Sequence, residues 1–212
     1  MSIVNRLLSI TIAISTIFIS CENKDEKKKE SDHSMHDMHG NPGSASNYAD
    51  SVNSGLIAKD TMKGSPARTA MNTIGGGHVH IEYHSPGVKD RTIWGGLVAY
   101  NQVWVTGAHS ATSIQLSKPI QIGDTKVDKG TYAIFTIPGE KEWLFILNKN
   151  YEQHLADDYK DSLDVVRMTV KPLSTDLTQR LTYEVNKVDD TNGLIVMRWE
   201  KIKIEIPFKS IQ

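Results

Sequence analysis

From Ile74 to the end of the chain, apolar and polar residues alternate in short runs separated by turn-forming residues. The run HVHIEYH, residues 78–84, puts apolar side chains on one face of a strand and histidine or glutamate on the other. Related runs follow: IQLSKPIQI, TYAIFTI, EWLFILN, DVVRMTV, RLTYEV, LIVMRWE and KIKIEIPF. Glycine, proline and aspartate stand between them, as at Ser85-Pro86-Gly87. Eight to ten short strands of this kind predict an all-β fold, an antiparallel β-sandwich or a jelly-roll-like barrel.

One stretch of this region lacks the alternation. NYEQHLADDYKDSLD, residues 150–164, is polar with loose helical spacing, so it predicts either one short helix or a long surface loop. We therefore expect at most one short helix in the domain, which we assign to residues 74–212. There is no alternation of strands with helices and no glycine-rich phosphate loop, which excludes a Rossmann or P-loop enzyme.

The chain begins with a segment typical of export. Residues 1–20 carry Arg6 and then fourteen uncharged, mostly apolar residues, which suits a signal peptide and is short for a membrane-spanning helix. Cys21 follows directly, in a sequence that resembles a bacterial lipobox, and it is the only cysteine. We expect Cys21 to be lipidated and to anchor the protein to a membrane. The alternative is an ordinary signal peptide followed by an unmodified cysteine.

Residues 21–73 are poor in aromatic and rich in small and polar residues, so they predict a flexible tether. Within it, the segment SDHSMHDMHG combines imidazole and thioether groups, a combination that suits copper. The candidate ligands for copper or zinc are His33, Met35, His36, Met38 and His39. The alternative is a low-complexity spacer whose histidines bind nothing.

Charge and composition argue against several classes of function. The 24 Lys and Arg against 25 Asp and Glu give a net charge of −1, which argues against binding nucleic acid. A single cysteine excludes an intrachain disulfide framework and any CxxC motif. No Gly-x-Ser-x-Gly elbow or other nucleophile motif is present, so no catalytic residue can be assigned and we lean against an enzyme.

The polar face of residues 78–84 is the most informative cluster. Alternate residues of a strand lie roughly 7 Å apart on one face, close enough to share an ion. We predict a copper or zinc site from His78, His80 and Glu82, with His84 and His109 as further ligands. The alternative is that this face is the solvent side of a half-buried strand.

A second cluster contains Arg91 and Trp94, which lie among turn residues. A guanidinium in such a place can bind a carboxylate or phosphate, and Trp94 with Trp104 can stack against a sugar or peptide. The alternative is that both tryptophans belong to the core and that Arg91 pairs with Asp90, Asp124 or another acid.

Three blocks together resemble a known family: SPGVKDRTIWGGLVAYNQVWVTGAHSATSIQLSKPIQIG, KGTYAIFTIPGEKEWLFILNK and DVVRMTVKPL. They are similar to the bacterial domain of unknown function 2911, over roughly residues 65–208. The resemblance implies an exported, often lipidated β-rich protein of Bacteroidota-type bacteria. It implies no reaction, substrate or site residue.

Three functions remain open at this point. The first is an outer-membrane or cell-surface lipoprotein that binds copper or zinc through the histidine-rich strand. The second is a metal-independent envelope module that binds a glycan, a peptide or a partner protein through Arg91 and Trp94. The third is a metal-assisted hydrolase or dioxygenase at the same histidines.

Overall fold

Strands make up most of the folded chain. The computed structural model describes residues 42–211, with side chains described from residue 47, and it is 53% strand and 6% helix. The elements in order are α1 Pro42–Asn53, β1 Ala67–Ile74, β2 Gly77–His84, β3 Thr112–Leu116, β4 Ile120–Ile122, β5 Thr125–Val127, β6 Gly130–Ile137, β7 Trp143–Asn148, β8 Asp164–Val170, β9 Leu173–Lys187 and β10 Asn192–Ser210. The predicted all-β fold is confirmed.

The strands form two antiparallel sheets. One has the order β1-β2-β3-β6-β7-β8 and the other the order β5-β4-β10-β9. The two sheets do not close into a barrel within the described residues, so the sandwich is the correct one of the two predicted architectures. The core lies between the sheets because the buried positions of each strand face the other sheet, as Val79, Ile81, Ile114, Ile195 and Trp199 do.

A tight turn joins β1 to β2. Its two central residues, Gly75 and Gly76, both have positive φ, +58° and +70°, as a type I′ turn requires. Ile74 and Gly77 flank this two-residue turn and form a hydrogen-bonded pair. From there along the hairpin, non-hydrogen-bonded and hydrogen-bonded pairs of opposite residues alternate. The outward-facing pairs are therefore the non-hydrogen-bonded ones, in which side chains lie closest together. These pairs are Thr73–His78, Met71–His80, Thr69–Glu82 and Ala67–His84.

The outer face of the six-stranded sheet has two unlike halves. Over β6 and β7 a second apolar cluster forms, which we call the cover cluster; its buried members are Val105, Ala111, Ala133, Phe135 and Ile146. Val105 and Ala111 come from the loop before β3, so loops cover this half of the sheet. Over β2 and β3 the outward residues are mostly polar and more exposed, and this half stays open together with the neighbouring β1, whose outward residues alternate between apolar and hydroxyl side chains.

Residues 150–164 adopt the loop alternative. Their only helical part is one 3₁₀ turn, Asp161–Leu163, and Asp164 already begins β8. The Asn148 amide holds the loop by donating to the Lys160 carbonyl at 2.9 Å and to Asp164 Oδ1 at 2.7 Å. Burial and the hydrogen bond to Asp164 raise the pKa of Tyr159 in this loop to about 12.

Packed structure starts earlier than the predicted boundary at residue 74. Helix α1 and all but the last residue of β1 lie within the segment expected to be a tether. Polar anchors hold it: Asn53 Nδ2 donates to the Arg180 carbonyl at 3.0 Å, and the buried Arg180 guanidinium bonds Asp60 at 2.8 Å. The low apolar content of this segment gave no sign of these polar anchors. The prediction of a flexible tether is therefore wrong from residue 42 onward, where helix α1 begins. The predicted signal peptide, Cys21 and the five tether ligands lie outside the described residues.

The described residues contain no helix that is long and apolar enough to cross a membrane.

Candidate functional site

A groove of about 850 Å³ runs over the open half of the six-stranded sheet. Four neighbouring strands, β1, β2, β3 and β6, and two loops line it, and its polar side chains include His80, Glu82, Ser113, Gln115, Thr131 and Tyr151. The register explains the grouping, since Gln115 stands opposite His80 and Ser113 opposite Glu82. The groove thus offers hydroxyl, amide, carboxylate and imidazole groups over a flat strand surface.

His78, His80 and Glu82 share the outward face of β2, as the alternation predicted. His80 Nε2 lies 3.2 Å from Glu82 Oε1, and the rings of His78 and His80 have their centres 6.0 Å apart. The Glu82 side chain is 67% exposed, so its contact with His80 is largely solvated.

His84 continues the same face and meets His109 from another part of the chain. The two ring centres lie 5.1 Å apart, with the rings nearly perpendicular. Partial burial, and to a smaller degree the neighbouring His109, lower the pKa of His84 below its usual value. The lowered pKa favours the neutral imidazole, which keeps a lone pair free for a ligand.

The loop that presents His109 is tightly held. Gly107 packs against β2 so closely that a Cβ there would lie 2.6 Å from Thr112 Oγ1 and 3.4 Å from the His84 carbonyl oxygen. The buried Thr106 has a φ of 51°, uncommon for a β-branched residue, and its carbonyl accepts bonds from Thr112 Oγ1 and from the Tyr183 hydroxyl. These contacts fix the loop against the start of β3 and against β9, beside the end of β2.

His109 itself also has a left-handed backbone, with a φ of 61°. Its carbonyl accepts a hydrogen bond from the Leu155 amide at 2.7 Å, and the Ala111 amide donates to the Gln153 carbonyl at 3.0 Å. Such conformations persist only where the surroundings hold them, and they are enriched at functional sites. The His109 side chain is exposed, whereas its backbone is fixed on both sides.

The predicted metal ligands thus separate along the groove. His84 lies with His109, while His80 lies with Glu82 and His78. In residues 42–211 no three histidine, cysteine, aspartate or glutamate side chains come close enough to hold an ion together. The strand geometry explains this, because His80 and His84 are four residues apart and roughly 13 Å distant along β2.

Arg91 lies away from this groove. Its guanidinium donates to the backbone carbonyls of Gly87 and Val88 instead of pairing with Asp90 or Asp124. It borders a small depression of about 220 Å³ together with Lys89. Lys89 in turn donates to the Met62 carbonyl.

Trp94 packs into an aromatic cluster with all the other tryptophans of the chain. Its ring centre lies 4.7 Å from that of Trp143, 5.7 Å from Trp104 and 5.8 Å from Trp199. Trp104 belongs to the same cluster, and its Nε1 donates to the Gly107 carbonyl at 3.1 Å. The ring that the sequence suggested for stacking on a ligand therefore packs edge-to-face against the other tryptophans.

Sequence reasoning missed Ser113, Gln115, Thr131 and Tyr151 as groove residues. The three strand residues occupy outward positions of β3 and β6, but only the strand order shows that β3 lies beside β2 and β6 beside β3. Tyr151 gave no signal, because it lies in a loop whose path over the sheet cannot be inferred from its sequence.

The comparisons with known proteins agree with this fold without naming an activity. The family described as a protein of unknown function (DUF2911) matches residues 65–208, which include every described strand except the last two residues of β10. No curated protein and no solved structure matched the chain. The chain belongs to the DUF2911 family.

Proposed function

We propose that this protein is an exported lipoprotein of the cell envelope whose folded domain binds one transition-metal ion, copper or zinc, between His84 and His109. The observation that carries the proposal is the pairing of these two imidazoles across two parts of the chain, with ring centres 5.1 Å apart. The second groove histidine, His80, lies too far along β2 to complete the same site.

The ring separation suits joint ligation. Two imidazoles bound at about 2.0 Å to one tetrahedral ion place their ring centres roughly 5 Å apart. The loop carrying His109 is already fixed by Gly107 and Thr106, so little ordering is needed when the ion binds. Because burial favours the neutral form of His84, protons compete less with the metal ion for this imidazole.

Two protein ligands favour reversible binding over catalysis. Catalytic zinc sites have three protein ligands, and structural ones have four. An ion held by His84 and His109 would keep open positions toward the groove, where water or a second ligand can complete its coordination. The hydrolase or dioxygenase alternative lacks a third protein ligand within the described part of the chain.

The binding test uses the full-length chain with the five tether ligands replaced: His33→Ala, Met35→Ala, His36→Ala, Met38→Ala and His39→Ala. We call this the tether-silent protein. After equilibration with zinc and desalting, elemental analysis should find about one ion per chain. His84→Ala or His109→Ala should abolish retention, since a single imidazole holds the ion too weakly.

His154→Ala is the matched control, because the His154 side chain is 68% exposed and contacts Asp157 instead of the groove. It should retain the ion. Zinc retention by the His84→Ala/His109→Ala double variant would overturn the proposed site. Circular dichroism of each variant confirms that it remains folded.

Anchoring is tested separately at Cys21. The wild-type protein should fractionate with membranes and incorporate labelled fatty acid, whereas Cys21→Ser should do neither. A wild-type protein that takes up no labelled fatty acid, or labelling that survives Cys21→Ser, would refute the lipoprotein part of the proposal and leave the metal site untouched.

A second function is favoured by the groove itself. Its volume of about 850 Å³ and its polar strand residues suit a glycan or an extended peptide. If this function holds, binding of such a ligand persists after the metal is removed with a chelator and is weakened by Tyr151→Ala. Loss of binding on metal removal would instead make the ion part of the ligand site.

A further inference from the structure

Met71 faces the same open surface as the groove histidines. It lies on β1 directly opposite His80, in one of the close, non-hydrogen-bonded pairs of the β1–β2 hairpin. Side chains in such pairs have Cβ atoms about 4.5–5.5 Å apart. The Met71 side chain is 52% exposed, so its thioether is open to solvent instead of filling the core.

His78 extends this arrangement. Its ring centre lies 6.0 Å from that of His80, and its own hairpin partner is Thr73. One thioether and two imidazoles therefore lie together on two paired strands that a tight turn fixes in register. We propose that Met71, His80 and His78 form a second metal site, selective for copper(I), separate from the His84–His109 pair.

The contacts of the two imidazoles leave nitrogens free for an ion. His80 Nε2 lies 3.2 Å from Glu82 Oε1, so the carboxylate can hold the Nε2 proton and leave Nδ1 as the ligand atom. A hydrogen bond from the second ring nitrogen to a carboxylate is the usual support of a metal-bound histidine. His78 Nδ1 lies 3.5 Å from Thr73 Oγ1, which leaves its Nε2 free. Glu82 acts here as a positioning residue.

The ligand chemistry selects the metal. Thioether sulfur is a soft ligand that selects copper(I), and imidazole binds copper as well as zinc. Zinc gains little from a thioether, so it should prefer the two imidazoles of His84 and His109. The two sites are separable by metal and by variant, and the copper(I) site does not depend on the proposed zinc or copper site.

The test measures copper(I) affinity in the tether-silent protein by anaerobic competition with a colorimetric copper(I) chelator. Met71→Leu keeps the apolar volume and removes the sulfur, and it should weaken copper(I) binding roughly tenfold or more. His80→Ala should weaken it at least as much. Met168→Leu, a thioether change on β8 at the far edge of the sheet, is the control and should have no effect.

Two further measurements separate this site from the other. Zinc binding should be unchanged in Met71→Leu, and copper(I) binding should survive in the His84→Ala/His109→Ala double variant. In protein labelled at the methionine methyl groups, the NMR signal that disappears in Met71→Leu should shift when copper(I) is added. Equal copper(I) affinity in Met71→Leu and the parent protein, or an unmoved Met71 signal, would overturn the proposal.

Discussion

The two halves of the outer face of the six-stranded sheet lie over different strands of the same sheet and differ in whether they are covered. Over β6 and β7 the outward residues are apolar and buried under loops, as with Ala133, Phe135 and Ile146. Over β2 and β3 they are His80, Glu82, Ser113 and Gln115, and they line an open groove. One sheet thus provides a second core at one end and a binding surface at the other.

The sequence of each strand carries this difference. TYAIFTI and WLFILN are apolar at nearly every position, and both faces of β6 and β7 are accordingly buried. HVHIEYH alternates strictly, and only one face of β2 is buried. A continuous apolar run therefore indicates a covered strand, whereas a strict alternation with histidine indicates a surface that remains available.

The largest expected effect on the free energy of unfolding comes from removing a large buried side chain from the covered half. Phe135 is fully buried in the cover cluster and packs on the Tyr159 ring at 5.2 Å between ring centres. Phe135→Ala should lower the free energy of unfolding by about 3–5 kcal/mol, through lost burial and a cavity. Gln115→Ala in the open half should change it by no more than about 0.5 kcal/mol. Chemical denaturation measures both, and similar losses would erase the distinction between the halves.

A smaller effect is expected where the two halves meet, at Gly107. In Gly107→Ala the new methyl group would lie 2.6 Å from Thr112 Oγ1, so the loop must shift away from the start of β3. We expect a loss of about 1–3 kcal/mol in the free energy of unfolding, together with weaker zinc binding because His109 moves with the loop.

The control for this change is a second substitution that removes the obstructing atom. Thr112→Ala deletes Oγ1, so Gly107→Ala/Thr112→Ala should be less destabilised than the sum of the two single variants. Strict additivity would show that the contact between Gly107 and Thr112 does not set the position of the loop.

Much of the fold could be predicted because strand periodicity is a local property. The alternation of residues 78–84 gave the buried face of β2 correctly, and the breakers separated most of the strands. Helix α1 and β1 were missed because polar contacts to distant residues hold the region, such as the bond from Asn53 to the Arg180 carbonyl. Contacts between residues 127 positions apart leave no local pattern.

The candidate site was predictable only in part for the same reason. The side chains facing outward from β2 followed from the sequence, and His109 was named as a ligand from another strand or turn. The separation of these residues into a His84–His109 pair and a second group around His80 could not be inferred. It depends on the position along β2 at which the loop before β3 packs. Met71 was overlooked because its relation to His80 depends on hairpin register, which the Gly75-Gly76 turn sets.

The smallest expected effect is a dependence of stability on pH at the junction of the two halves. Burial lowers the pKa of His84 in the folded protein below its value of about 6.5 in the unfolded chain. As the pH falls through 6.5, His84 takes up a proton in the unfolded chain before it does so in the folded protein. The free energy of unfolding therefore decreases as the pH falls, and the loss reaches its full size once the pH is below the folded pKa. Above pH 7 the effect is absent.

The melting temperature measured between pH 7.5 and 5 should therefore fall less in His84→Gln than in the wild-type protein. Ser113→Ala, in the same groove and without a titrating group, should follow the wild-type curve. A pH profile left unchanged by His84→Gln would mean that the loop carrying His109 does not shield His84 from water. The open half would then extend past His84, and protons would compete more strongly with a metal ion for this imidazole as the pH falls toward about 6.5.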